Sequence, residues 1–165
     1  MTPLNRNGRL TPLNRLEREI EEYRSYHRTQ VNRLSHFAGI PIILFSIFGA
    51  LSWIRVSLLG GVYLSGATVL LMVLVFFYFK ISRRIALAFA AWSAPLLILA
   101  HQMFLESNRR AVVAVVVLFI IGWIFQAVGH TFEKNRPAFF THWKHLWRGP
   151  LFITYEWVSA LRIRV

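Results

Sequence analysis

The chain has 165 residues, 56% of them hydrophobic and 16% charged, and its mean hydropathy of +0.48 lies outside the ordinary soluble range. Its net charge of +12 comes from nineteen Lys and Arg against seven acidic residues. The cations gather in short segments between long apolar runs, which argues for anionic lipid headgroups as partners and against nucleic acid. With no cysteine, a disulfide framework and any Cys-containing metal site are excluded.

Residues 1–13 carry Pro3, Gly8 and Pro12 among scattered Arg and Asn and read as a flexible lead-in. Residues 14–165 read as a single membrane-embedded helical domain. The first 35 residues contain no apolar stretch followed by a small-residue cleavage site, so no cleaved signal peptide is expected. From Asn14 a helical period begins: Leu16, Ile20, Tyr23, His27, Val31 and Leu34 recur at three- and four-residue steps, opposite Glu and Arg. That is the pattern of an amphipathic helix lying on a membrane surface.

Four apolar runs follow, at about 37–54, 58–79, 85–105 and 111–128, each long enough to cross a hydrocarbon core as a helix. The expected fold is therefore an all-α integral membrane protein with about four transmembrane helices. Pro41 is expected in the first turn of its helix, where it is tolerated, and Pro95 in mid-helix, where it kinks the backbone. Close helix packing accounts for Gly39, Gly60 and Gly61. The last apolar stretch, Pro150 to Leu161, contains Glu156 and is too short to span, so an interfacial or re-entrant helix is expected there.

Sixteen of the nineteen cations fall in the N-terminal segment, the Lys80 to Arg84 loop and the C-terminal region, leaving Arg55, Arg109 and Arg110 for the other side. The positive-inside rule then places both termini in the cytosol. No internal repeat supports a transporter built from inverted halves.

Ionisable groups at membrane depth tend to mark sites. Gln126, His130 and Glu133 share one helix face at the cytosolic end of the fourth run, and the H-x-x-E spacing suits part of an Fe(II) site. The same spacing also suits a histidine bonded to its own helix neighbour at headgroup level. Near the N-terminus, His27 lies on the apolar face of the surface helix, and Asn32 and His36 share a face. His27 and His36 are nine residues apart, half a turn out of phase on one straight helix, so both reach a common ion only if the chain bends between them. His101 falls about 24 Å along its helix and is expected near the opposite membrane face. His142 and His145 form an H-x-x-H pair, but Trp143, Lys144, Trp147 and Arg148 around them read as a basic aromatic interface belt. Nucleophile elbow, P-loop, Rossmann and H-E-x-x-H patterns are absent.

The stretches YRSYHRTQVNRLSHFAGIPIILFS (Tyr23 to Ser46), GWIFQAVGHTFEKNRPAFF (Gly122 to Phe140) and GPLFITYE (Gly149 to Glu156) together resemble the 2-hydroxy fatty acid dioxygenase family. Its members are Fe(II)-dependent membrane enzymes of fatty acid α-oxidation, with a fungal member at the endoplasmic reticulum and bacterial relatives. The matching stretches cover roughly a third of the chain; residues 55–115 match only as hydrophobic spans. The resemblance implies an enzyme using Fe(II) and O2 to cleave a 2-hydroxy fatty acid between C1 and C2, giving the acid one carbon shorter. It implies His27, His36 and His130 as metal ligands, with Glu133, Asn32 and Gln126 as a further ligand or as partners that hold the imidazoles. Three neutral imidazoles leave room beside the ion for the acid's carboxylate and 2-hydroxyl and for O2. Arg24, Arg28, Arg33 and Arg136 are candidates to steer the carboxylate, although binding anionic lipid and fixing topology explain them equally well. The expected partners are a 2-hydroxy fatty acid, O2 and membrane lipids, with self-association into a homo-oligomer open. The expected location is a bacterial inner membrane, or the endoplasmic reticulum in a eukaryote. The competing reading is a non-enzymatic membrane scaffold or a lipid or small-molecule carrier.

Overall fold

The computed structural model describes residues 14–58, 63–104, 106–133 and 145–162. The expectation of a flexible lead-in at residues 1–13 lies outside them. Among the described residues six helices run in chain order: α1 (Arg15–Tyr26), α2 (Gln30–Ser52), α3 (Gly66–Phe79), α4 (Arg83–Met103), α5 (Arg109–Glu133) and α6 (His145–Ala160). A small antiparallel hairpin, β1 (Arg55–Ser57) with β2 (Tyr63–Ser65), stands between α2 and α3.

Helix α1 starts where a reciprocal cap satisfies its free N–H groups. The Glu17 N–H donates to Asn14 Oδ1 and the Asn14 N–H donates to Glu17 Oε2, both at 2.8 Å. Its buried face is Leu16, Ile20 and Tyr23, as the apolar period predicts. The period does not continue as expected, however. The helix ends at Tyr26, His27 leaves helical backbone angles, and Thr29 opens α2 by accepting the Asn32 N–H. This break resets the helical phase, so Val31 and Leu34 turn outward and α2 buries Asn32, His36, Gly39 and Ile40 instead.

The early start of α2 also moves Pro41 from the expected first turn into the helix interior. Helices α2, α4 and α5 are long and apolar enough to cross a membrane, the make-up of an integral multi-pass membrane protein. The second apolar run is not a full-length helix. Residues at its start pair in the hairpin, Ser65 caps α3 through the Thr68 N–H, and the 14 residues of α3 reach only about 21 Å. Gly60 and Gly61 lie outside the described residues.

Helices α2 and α5 run antiparallel and pack against each other more extensively than any other pair, because glycine lets their backbones approach. A Cβ on Gly122 would lie 2.5 Å from Ile43 Cγ1 and 3.1 Å from the Gly39 carbonyl oxygen, and one on Gly39 would strike Gln126 Nε2. Helix α6 begins five residues before the expected Pro150 and sinks into the bundle, with Leu151, Phe152, Ile153 and Thr154 buried. Helices α3 and α4 each fasten it by a hydrogen bond. The Tyr78 hydroxyl donates to the Trp147 carbonyl at 2.6 Å, and Trp92 Nε1 donates to Thr154 Oγ1 at 2.9 Å.

Candidate metal centre

The break after α1 places His27 across from His36 instead of half a turn away from it. The two rings meet edge to face with centroids 4.4 Å apart, and His130 near the end of α5 completes a triangle at 5.0 Å from each. All three are buried, and one ring nitrogen from each lies within 4.8 Å of the others. Among the described residues this is the one His, Cys, Asp and Glu group with such an arrangement.

The tautomers of two of these histidines follow from their partners. His27 Nδ1 lies 2.8 Å from the Tyr23 carbonyl oxygen and His36 Nδ1 lies 2.9 Å from the Asn32 carbonyl oxygen. A carbonyl only accepts, so each Nδ1 carries the hydrogen and each neutral ring presents a lone pair at Nε2. Those two Nε2 atoms face each other at 3.1 Å. Two lone pairs at that distance repel unless a cation, either a proton or a metal ion, lies between them. Nitrogens bound to one divalent ion at about 2.1 Å each stand roughly 3 to 3.5 Å apart. The His27 and His36 pair already has that spacing, and a modest ring shift brings in His130. The donor set thus fits a metal ion, with backbone carbonyls fixing two of the three nitrogens that would hold it.

Other buried polar atoms point the same way. Asn32 is fully buried, and among the described residues neither its Oδ1 nor its Nδ2 has a hydrogen-bond partner; nor has the buried Gln126 Nε2. Such orphans are costly unless a ligand or water meets them. Gln126 is one turn before His130 and lines a cavity of about 450 Å³ into which Tyr23, His27, His36 and His130 also face. The remaining walls are almost entirely aliphatic and aromatic, including Ile40, Ile43 and Leu74.

Tyr23, a member of the apolar stripe and the first residue of the first matching stretch, belongs to the site as well. Its ring stacks on His27 with centroids 3.9 Å apart and planes 3° apart. Burial pushes its phenol far above the ordinary range, so the hydroxyl stays protonated. The signal was its position one turn before His27. Trp147, Gly149 and Pro150 of α6 also line the cavity, which gives the third matching stretch a place that sequence alone had not suggested.

The four arginines divide. Arg24 Nη2 donates to Glu156 Oε1 at 2.7 Å and Arg33 Nη2 donates to Glu156 Oε2 at 2.5 Å, so both are tied to α6. Partial burial opposes the Arg24 charge, but the hydrogen bond and charge of Glu156 outweigh it and raise its pKa. Arg28 is exposed and donates to the Ser25 carbonyl, and Arg136 lies outside the described residues. A second clasp joins Arg148 to Glu19 and Glu22 at 2.5 and 2.6 Å. The two clasps hold α1, and with it Tyr23 and His27, against α6.

His101 is away from this cluster, beside the hairpin, with Nε2 2.8 Å from Ser65 Oγ. Glu133 ends α5 and His145 opens α6, but their side chains, like His142, lie outside the described part.

A family model described as 2-hydroxy-palmitic acid dioxygenase Mpo1-like matches residues 13–161. Among curated proteins, the chain is similar to the 2-hydroxy-palmitic acid dioxygenase MPO1 of Saccharomyces cerevisiae. The two are 29% identical over 148 residues, which is 88% of this chain and 81% of the yeast protein. No solved structure matches the chain.

Proposed function

Because the chain belongs to the Mpo1-like 2-hydroxy-palmitic acid dioxygenase family, we propose that it is an Fe(II)-dependent dioxygenase that shortens a 2-hydroxy fatty acid by one carbon. The observation that carries this reading is the pair of Nε2 lone pairs facing at 3.1 Å beside His130, at the polar end of an apolar cavity. The reaction balances without a further reductant. Breaking the C1–C2 bond of R–CH(OH)–COOH takes four electrons from the acid, O2 accepts them, and the products are R–COOH, CO2 and water.

His27, His36 and His130 would hold the metal. Bound there, Fe(II) supplies the redox chemistry that lets O2 react with a closed-shell acid, which zinc, having no redox chemistry, does not. The protein's own groups bind and orient. Gln126 Nε2 offers a donor to the substrate's carboxylate or 2-hydroxyl, and the Asn32 amide offers a donor and an acceptor beside the imidazoles. Tyr23 packs His27 in place and remains neutral. Glu133, from the end of α5, is a proposed further ligand or acid–base group. Arg24, Arg28, Arg33 and Arg136 draw an anionic headgroup toward this boundary by their summed field, with Arg24 and Arg33 held in place by Glu156. The apolar walls exclude water from the reacting carbon. In this reading both termini and the Lys80 to Arg84 loop face the cytosol.

The test is metal analysis of detergent-purified, anaerobically handled protein together with turnover of a 2-hydroxy fatty acid. One iron per chain is expected, with chelation abolishing activity and Fe(II) restoring it. Protein that binds no transition metal and turns nothing over would refute the proposal and favour a lipid carrier, and turnover indifferent to chelator would refute the role of the metal.

A further inference from the structure

The cavity is deeper than a metal centre requires. Ile47 on α2 and Phe119 on α5 both line it, and each stands eleven residues from a histidine, His36 and His130 respectively. On two antiparallel helices that places the far end of the cavity about 16 Å from the polar end. Helix α3 supplies the third wall through Leu70 and Leu74.

The long side of this cavity is open. Helices α3 and α5 flank α2 and, among the described residues, barely touch each other. Phe119 is 40% exposed, and Ile43, Ile47, Leu70 and Leu74 are only half-buried. The helices bordering the gap are apolar along this stretch, so the opening looks into the bilayer core rather than into water.

We infer that the cleft between α3 and α5 is a lateral acyl-chain channel, with Ile47 and Phe119 at its far end setting the preferred chain length. The inference rests on the reading of the chain as a 2-hydroxy fatty acid dioxygenase and adds how that substrate enters and is measured. An extended alkyl chain advances about 1.25 Å per carbon, from a bond near 1.52 Å and a tetrahedral angle. The channel therefore holds about 13 carbons beyond the headgroup, which selects a long-chain acid. The polar end meets the headgroup with three imidazoles and Gln126 Nε2, which has no hydrogen-bond partner among the described residues, while the rest is almost entirely aliphatic and aromatic. A fatty acid dissolved in the membrane reaches this site by sliding sideways, without passing through water.

Because the chain leaves lipid rather than water, selectivity comes from packing and not from the hydrophobic effect. Filling the far end should therefore cost a few-fold in kcat/KM per excluded pair of carbons, less than the roughly tenfold or more that one methylene is worth to a pocket in water. The full-length protein in phosphatidylcholine vesicles is exposed to a 2-hydroxy fatty acid carrying a photoreactive diazirine near its twelfth carbon. Adducts are expected on α2 around Ile47, α5 around Phe119 and α3 around Leu70. Adducts confined to outward residues such as Leu87 and Ile98 on α4 would overturn the channel. In parallel, Ile47→Trp should shift the kcat/KM profile toward shorter acids by several-fold, and Leu87→Trp, at a position 70% exposed, should not. A folded Ile47→Trp variant with the wild-type profile would also overturn it. Wild-type turnover with adducts elsewhere defeats the channel alone. Adducts in the cleft without turnover of any 2-hydroxy acid defeat the enzymatic reading and leave a lipid-binding site.

Discussion

Replacing Gly129 with Ala should loosen the metal centre without touching a ligand. A Cβ at this position would lie 2.5 Å from Asn32 Oδ1 and 3.2 Å from Asn32 Cα, and it would also strike Ser35 Oγ. Ordinary contact begins at 3.4 Å, so the approach to Asn32 Oδ1 is short by about 0.9 Å and that to Ser35 Oγ by more. Asn32 is fully buried, and the 3.2 Å approach to its Cα is one that no side-chain rotation relieves. Helices α2 and α5 must therefore separate by several tenths of an ångström at the level of His36 and His130. Metal–ligand distances tolerate only about 0.2 Å. The strain should cost about 1 to 3 kcal/mol of stability, and metal affinity should fall about tenfold or more, as it does when groups supporting ligands are disturbed. Metal titration of purified protein followed by mass spectrometry measures this, with Gly66→Ala as control, since its Cβ would meet Leu51 O at 3.2 Å far from the histidines. A folded Gly129→Ala protein that binds metal as tightly as wild type would refute the claim that α2–α5 approach sets the site.

Single changes of His27, His36 or His130 to Ala should each abolish metal retention and activity, because two ligands do not replace three; His101→Ala should keep most activity. A His101→Ala enzyme as inactive as His130→Ala, yet normally folded, would contradict this assignment. A single cysteine introduced at Ser82, in a chain that has none, should react with an impermeant thiol reagent only from the cytosolic side, and labelling from outside alone would reverse the topology. Glu156→Gln should lower thermal stability by roughly 1 kcal/mol, the modest figure reflecting partial solvent screening of Arg24 and Arg33; an unchanged melting temperature would mean the clasp holds nothing.

The helical content was legible because long apolar runs admit few alternatives, and the charge clusters marked where they end. The bend between His27 and His36 was legible as a condition: nine residues on a straight helix put the rings on opposite sides, so a shared site needed a break. What the pattern did not reveal was that the break resets the phase. Val31 and Leu34 fit the period of α1 and still face outward, because periodicity carries no information across a change of axis. Pro41 was misplaced for the same reason, since Thr29 starts α2 well before its apolar run. The shortness of α3 was hidden because hydropathy does not distinguish a strand from a helix when Tyr63 and Leu64 continue an apolar run without a charge. The part of the site contributed by α6 was not legible either. Nothing local to Trp147 or Gly149 announces that their helix is buried against Tyr78 and Trp92.

The two ionic clasps also constrain the order of assembly. Arg24 and Glu156 are separated by 132 residues, and Arg148 and Glu22 by 126. In the two-stage view of membrane proteins, apolar helices insert first and associate afterwards. The first two histidines therefore reach the membrane long before α5 delivers the third, and α1 has nothing to lean on until α6 is made. A chain still in synthesis carries an incomplete trio with low claim on any ion. If the trio holds a metal as proposed, loading would be a post-insertion event gated by the docking of the last helix, and a chain that fails to dock α6 should be found in the membrane, helical and metal-free.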